Sequence, residues 1–161
     1  MSRLLVLAWG NPSRGDDALG PAFVDRAERG LAGAIHAIEF QTDFQLQPEH
    51  AADLRARDAV LFVDASVTAA APFAFTAVVP ARDRSFTTHA MSPAALLAAY
   101  RDAFAGEPPP AYQLAIRGEA FALGEPMSAA AARHLDAAVA LFHSRLARSA
   151  VAEWARSIHA A

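Results

Sequence analysis

A chain of 161 residues fits one domain, since domain lengths centre on roughly 100 to 200 residues, and 54% hydrophobic against 19% charged residues excludes intrinsic disorder. The lack of cysteine excludes disulfide frameworks, thiolate nucleophiles and cysteine-ligated metal centres, so any metal must sit on His, Asp or Glu. A net charge of −3, with 14 scattered basic residues that are all arginine, offers no stripe for a phosphate backbone, and no apolar run reaches the roughly 18 to 20 residues of a membrane-spanning helix; neither nucleic acid nor a membrane is an expected partner.

Met1-Ser2-Arg3 before Leu4–Leu7 imitates the start of a signal peptide, but Trp9, Asn11, Arg14, Asp16 and Asp17 interrupt the apolar stretch. Residues 3–9 therefore read as a first strand, ended by Gly10-Asn11-Pro12, in a protein expected to be soluble and cytoplasmic. After Ser13–Asp17, the positions Leu19, Phe23, Ala27 and Leu31 recur at helical spacing, with carboxylates at the start and Arg26 and Arg29 near the end. A second strand is predicted over 34–40, a short proline-opened helix over 48–56, and a strand over 59–63 that is apolar on both faces and so belongs inside a sheet. A strand over 72–79, a helix from Ser92-Pro93 to about Phe104, a strand over 111–116 and a long terminal helix capped by Ser128 complete the order. Strands alternating with helices predict a three-layer α/β/α sandwich with a largely parallel central sheet of about five strands. The whole chain reads as a single domain, its terminal helix starting near 128 and a tail following about 150.

In open α/β sheets the ligand crevice lies beyond the carboxyl ends of the strands. Three polar groups are expected there: Gly10-Asn11 with Asp16-Asp17 after the first strand, Asp64-Ala65-Ser66 after the buried one, and Thr87-Thr88-His89 after the strand over 72–79. Two carboxylates and an imidazole converging in one place would suit a divalent cation with open positions, and so metal-assisted hydrolysis. Each residue also has an ordinary alternative. Asp16 and Asp17 would complement a helix dipole, Asp64 would close an Asx-turn onto Ser66, and His89 would be a plain loop histidine.

The other histidines attract less interest: His36 opens a strand, His50 lies in a short helix, His134 and His143 fall on the terminal helix, and His159 is in the tail. Gly10–Gly15 is not a dinucleotide fingerprint either, because a proline and two acids intervene before the helix.

Together, Leu5–Gly20 (LVLAWGNPSRGDDALG), Val60–Ser66 (VLFVDAS) and Thr87–Pro93 (TTHAMSP) resemble, in order and context, the motifs of the nickel-iron hydrogenase maturation endopeptidases. The resemblance covers most of residues 3 to 145 and is most specific at the Gly-Asn and acidic pair. It implies that Asp17, Asp64 and His89 bind nickel and carry the catalytic function, with Asp16 left as a helix-cap candidate. It also implies the substrate, a hydrogenase large-subunit precursor whose C-terminal extension is removed after nickel insertion, the nickel being carried by the substrate. Ala18 stands where many members have glycine, and Thr42–Glu49 (TDFQLQPE) replaces the common Asp-Gly-Gly-Thr, so the loop expected to border the cleft leaves open which hydrogenase is the client.

The expectation is thus a monomeric processing endopeptidase of aspartyl type with no other cofactor. Two alternatives are a non-catalytic nickel-sensing chaperone of the large subunit and a small nucleotide-binding α/β domain.

Overall fold

The computed structural model describes residues 1–82 and 91–159. Its centre is a five-stranded sheet in the order β2-β1-β3-β5-β4, built from β1 (Ser2–Trp9), β2 (His36–Asp43), β3 (Ala59–Ser66), β4 (Phe73–Val78) and β5 (Ala111–Arg117). The β1, β2, β3 and β5 pairings are parallel, and β4 joins β5 antiparallel at the edge. This is the expected three-layer α/β/α sandwich.

The apolar runs of β1 and β3 explain their central positions, because each strand feeds two cores with alternate residues. Leu4, Val6, Ala8, Leu61 and Val63 pack with Phe23, Phe142 and Trp154 on one side. That layer holds α1 (Leu19–Ala27), α3 (Ala129–Ser144) and a 3-10 segment, Val151–Ser157. Leu5, Leu7, Trp9, Val60 and Phe62 pack on the other side with Leu54, Leu96, Leu97 and Tyr100, from the 3-10 segment Pro48–Leu54 and α2 (Pro93–Ala103). Ser92 and Ser128 cap α2 and α3, their hydroxyls accepting from the Ala95 and Ala131 amides at 3.1 Å each.

Several boundaries differ from the sequence expectation for physical reasons. The first helix stops at Ala27 because Gly30 turns the chain at φ 75°; Leu31 still packs on the core, from beyond the helix. β2 begins later and runs on to Asp43, its polar end held by parallel pairing with β1 up to Trp9. Residues beyond 150 return to the core through Trp154, which is fully buried and donates its indole N–H to the Leu146 carbonyl at 3.1 Å. No helix among the described residues is long and apolar enough to cross a membrane.

From β1 the chain crosses to β2 on one side, then returns past β1 to β3 on the other. That reversal makes the carboxyl ends of β1 and β3 the switch point, where a crevice opens in doubly wound sheets.

Candidate active site

Residues 10–17 form a tight loop at the end of β1. The Gly10 amide donates to the Asp43 carbonyl at 3.0 Å, and the Arg14 amide to the Asn11 carbonyl at 3.1 Å. The Asn11 amide donates to the Asp17 carboxylate at 2.7 Å, fixing that side chain at the strand end. Gly10 has φ 146°, and a Cβ there would lie 1.9 Å from the Asp17 carbonyl oxygen. Only glycine lets the loop close this tightly.

Asp16 and Asp17, adjacent in sequence, do different work. Asp17 is half-buried at the crevice, whereas Asp16 is 0% exposed and turned toward the loop between β5 and α3. Its carboxylate accepts from the amides of Glu119, Ala120 and Ser128 at 2.7, 3.0 and 2.7 Å, and from the Ser128 hydroxyl at 2.8 Å. Burial acts to raise its pKa, but these hydrogen bonds outweigh burial and hold it below the usual carboxylate range. The expected cap of the first helix is therefore corrected: Asp16 sits at the start of α3 instead, joined to its N-cap serine. Three backbone bonds complete the seam: Gly15 to Glu125 at 3.0 Å, Asp16 to Ala120 at 2.7 Å, and Gly124 to Ser13 at 2.8 Å.

Asp64 continues the Val60 and Phe62 face of β3 and emerges at the switch point. Its carboxylate accepts from the neighbouring Ala65 amide at 2.7 Å, while the Ser66 hydroxyl accepts from Thr68 and Ala69; an Asx-turn onto Ser66 is not formed. Burial pushes the Asp64 carboxyl up to about 7. The Ala65 hydrogen bond opposes that rise, the Asp17 carboxylate adds to it, and the Trp9 indole draws it back slightly. The structure thus brings Asp17 and Asp64 into one electrostatic unit at adjacent strand ends. A carboxyl group so placed holds its proton more tightly and favours a nearby cation.

His89 lies outside the described residues. The strand that precedes its segment, β4, runs antiparallel to β5, so the rule of parallel strand ends does not reach this segment. Among the described residues no group of three His, Cys, Asp or Glu side chains gathers that could hold a metal ion. The other histidines serve structure. His36 bonds Ser2 and the Ser149 carbonyl, His134 the Arg117 carbonyl, and His143 the Ala27 carbonyl.

On the outer side of the Gly10 turn, whose Cβ position lies 3.5 Å from Asp17 Oδ1, Gly10, Pro12, Pro21, Thr42, Asp43 and Phe44 line an open pocket of about 280 Å³. Thr42 and Asp43 at the end of β2, with Phe44 after it, form one wall of this pocket. His50 braces it, its Nε2 lying 3.2 Å from Asp43 Oδ2 and its Nδ1 accepting from the Gln47 amide at 2.9 Å. Sequence reasoning gave His50 no role; its pairing with Asp43 joins a strand end to a 3-10 turn, a contact that no local spacing announces.

The fold recurs in solved structures. The hydrogenase maturating endopeptidase HybD from E. coli superposes with a TM-score of 0.63 at 22% identity, covering 98% of this chain and 96% of that one. The fold is that of the hydrogenase maturation proteases. HycI, the [NiFe] hydrogenase maturation protease from Thermococcus kodakarensis, gives 0.62 at 19% identity over 88% of this chain and 90% of its own. The hydrogenase 2 maturation peptidase from Thaumarchaeota archaeon SCGC_AB-539-E09 gives 0.62 at 19% over 91% and 99%. No family model and no curated protein matches the sequence.

Proposed function

We propose that the chain is a hydrogenase maturation endopeptidase that removes the C-terminal extension of a nickel-iron hydrogenase large-subunit precursor once nickel is in place. The observation that carries this reading is the coupled pair Asp17 and Asp64 at the switch point of a fold shared with the maturation endopeptidases. Nickel belongs to the substrate. Two carboxylates with the His89 imidazole make a hard, incomplete site, so they would engage a nickel already held by the precursor without retaining one of their own. The raised proton affinity of Asp64 fits this role: an approaching cation takes the place of the proton and relieves the repulsion from Asp17. The pocket next to Gly10 would receive a side chain of the precursor, with Phe44 and Pro12 as its apolar walls.

The test mixes metal-stripped protein with equal amounts of metal-free and nickel-loaded precursor and follows precursor mass. Cleavage of the loaded form alone is expected. Equal cleavage of both would remove nickel as the signal, and tight retention of loaded precursor without cleavage would make the protein a chaperone.

A further inference from the structure

β4 is an edge strand with one side filled by β5. The Arg117 amide donates to the Pro72 carbonyl at 3.1 Å, so in this antiparallel ladder the even-numbered residues of β4 bond to β5, while Phe73, Phe75 and Ala77 turn their backbone groups outward. The strand, Phe-Ala-Phe-Thr-Ala-Val, is uncharged and suited to sheet pairing. Such an edge is normally shielded.

Among the described residues the shield is one residue pair. Phe75 and His159 form an isolated antiparallel bridge, the Phe75 amide donating to His159 at 2.6 Å and the His159 amide to Phe75 at 2.8 Å. The stretch leading there is anchored by Trp154, which packs edge-on against Phe75 and Tyr112. Beyond Trp154, Ala155, Arg156, Ile158 and His159 are exposed. Among the described residues, the bridge and a contact between the Phe73 and His159 rings at 6.4 Å hold the end of this stretch to the strand. A segment that buries so little is readily detached.

We propose that the outer edge of β4 is a strand-addition site for the C-terminal extension of the precursor, and that Ile158–His159 covers this edge until the extension displaces it. The proposal rests on the endopeptidase reading. Its geometric support is the position of the edge relative to Asp64. Phe73 pairs with Ile116, and Ile116 with Ala65, so this end of β4 is level with the residue after Asp64. A strand added outside β4 lies three strand spacings from β3, roughly 15 Å, which four to five extended residues can span. A chain with its scissile bond at Asp64 reaches the edge without a turn of secondary structure. The main-chain bonds would supply affinity with little demand on side-chain identity.

The experiment measures equilibrium binding of nickel-loaded precursor to three proteins: the full chain, a chain ending at Ser157, and that shortened chain carrying Ala77→Pro. Ala77 is exposed, and proline there removes an outward donor while leaving the bonds to β5. The shortened chain should bind roughly tenfold more tightly, the worth of the two backbone bonds no longer in competition, and Ala77→Pro should cancel that gain. Exchange of the Phe75 amide should be fast in the shortened chain and slow in its complex. Equal affinity for all three proteins, an unprotected Phe75 amide in the complex, or dimerisation of the shortened chain through this edge would each overturn the proposal. Continued cleavage in those cases would leave the endopeptidase reading standing. Conversely, the expected affinities without cleavage would sink that reading and keep the edge site.

Discussion

The carboxylate of Asp17 raises the proton affinity of Asp64 across the gap between the ends of β1 and β3. Neither residue has its full meaning alone: one is fixed by a loop amide, the other is pressed against a dry core, and the first discourages the ionisation of the second.

Asp64 therefore makes stability depend on pH. Its folded pKa of about 7 exceeds the ordinary 3.8, so the native state holds the proton more tightly than the unfolded chain. The associated stability is fully present below about 3.8 and is lost as pH rises to 7. Asp64→Asn should flatten this dependence and stabilise the protein above pH 7 by on the order of 2 kcal/mol. Urea midpoints at pH 5 and pH 8 check it. A variant that loses stability at pH 8 would contradict the assignment.

Asp16 works in the opposite sense. Its pKa is depressed, so its contribution is present above the ordinary value and disappears as pH falls through the folded one. Asp16→Asn keeps the volume but replaces an acceptor facing several N–H donors with another donor. We expect a loss of about 2 to 4 kcal/mol, measured by denaturant unfolding at pH 7.

Gly10→Ala should be worse than its size suggests. The new methyl group would overlap the Asp17 carbonyl, 1.9 Å from the ideal Cβ position, and φ 146° is strained for any L side chain. Loss of precursor processing together with a lower Tm is expected; normal processing would show that the loop relaxes elsewhere.

For the proposed nickel-reading function, Asp17→Asn and His89→Ala should slow processing of loaded precursor by roughly 10- to 100-fold, the range seen when groups around a metal are disturbed. Both variants should keep a near-wild-type circular dichroism spectrum. Wild-type processing should also decline as pH falls and an imidazole that must be neutral to ligate becomes protonated. A normal rate for His89→Ala would place that histidine outside the chemistry.

Much of the sandwich was legible because local chemistry and global position agree. Leu4–Leu7 and Val60–Val63 can only be strands covered on both faces, and Ser92 and Ser128 mark helix starts that the structure reproduces. What escaped the sequence is long-range. Nothing near Asp16 says that its partners are Glu119, Ala120 and Ser128, and nothing near Trp154 has the periodicity of a core helix, since a 3-10 turn presents one large residue without a repeat. The direction of β4 was equally hidden, because alternation identifies a strand without its polarity. Asp17 and Asp64 were legible through the rule of strand ends; their electrostatic coupling needed the fold.

The seam between residues 13–16 and 118–128 also bears on the order of synthesis. Asp16 emerges early, yet its carboxylate partners lie 103 to 112 residues later. Until Ser128 has left the ribosome, the loop that presents Asp17 has only its local bonds and the one to Asp43, and the outer side of that loop, with the Asp16 carboxylate, has nothing to close against. The brace on this loop is thus completed only when α3 begins to form.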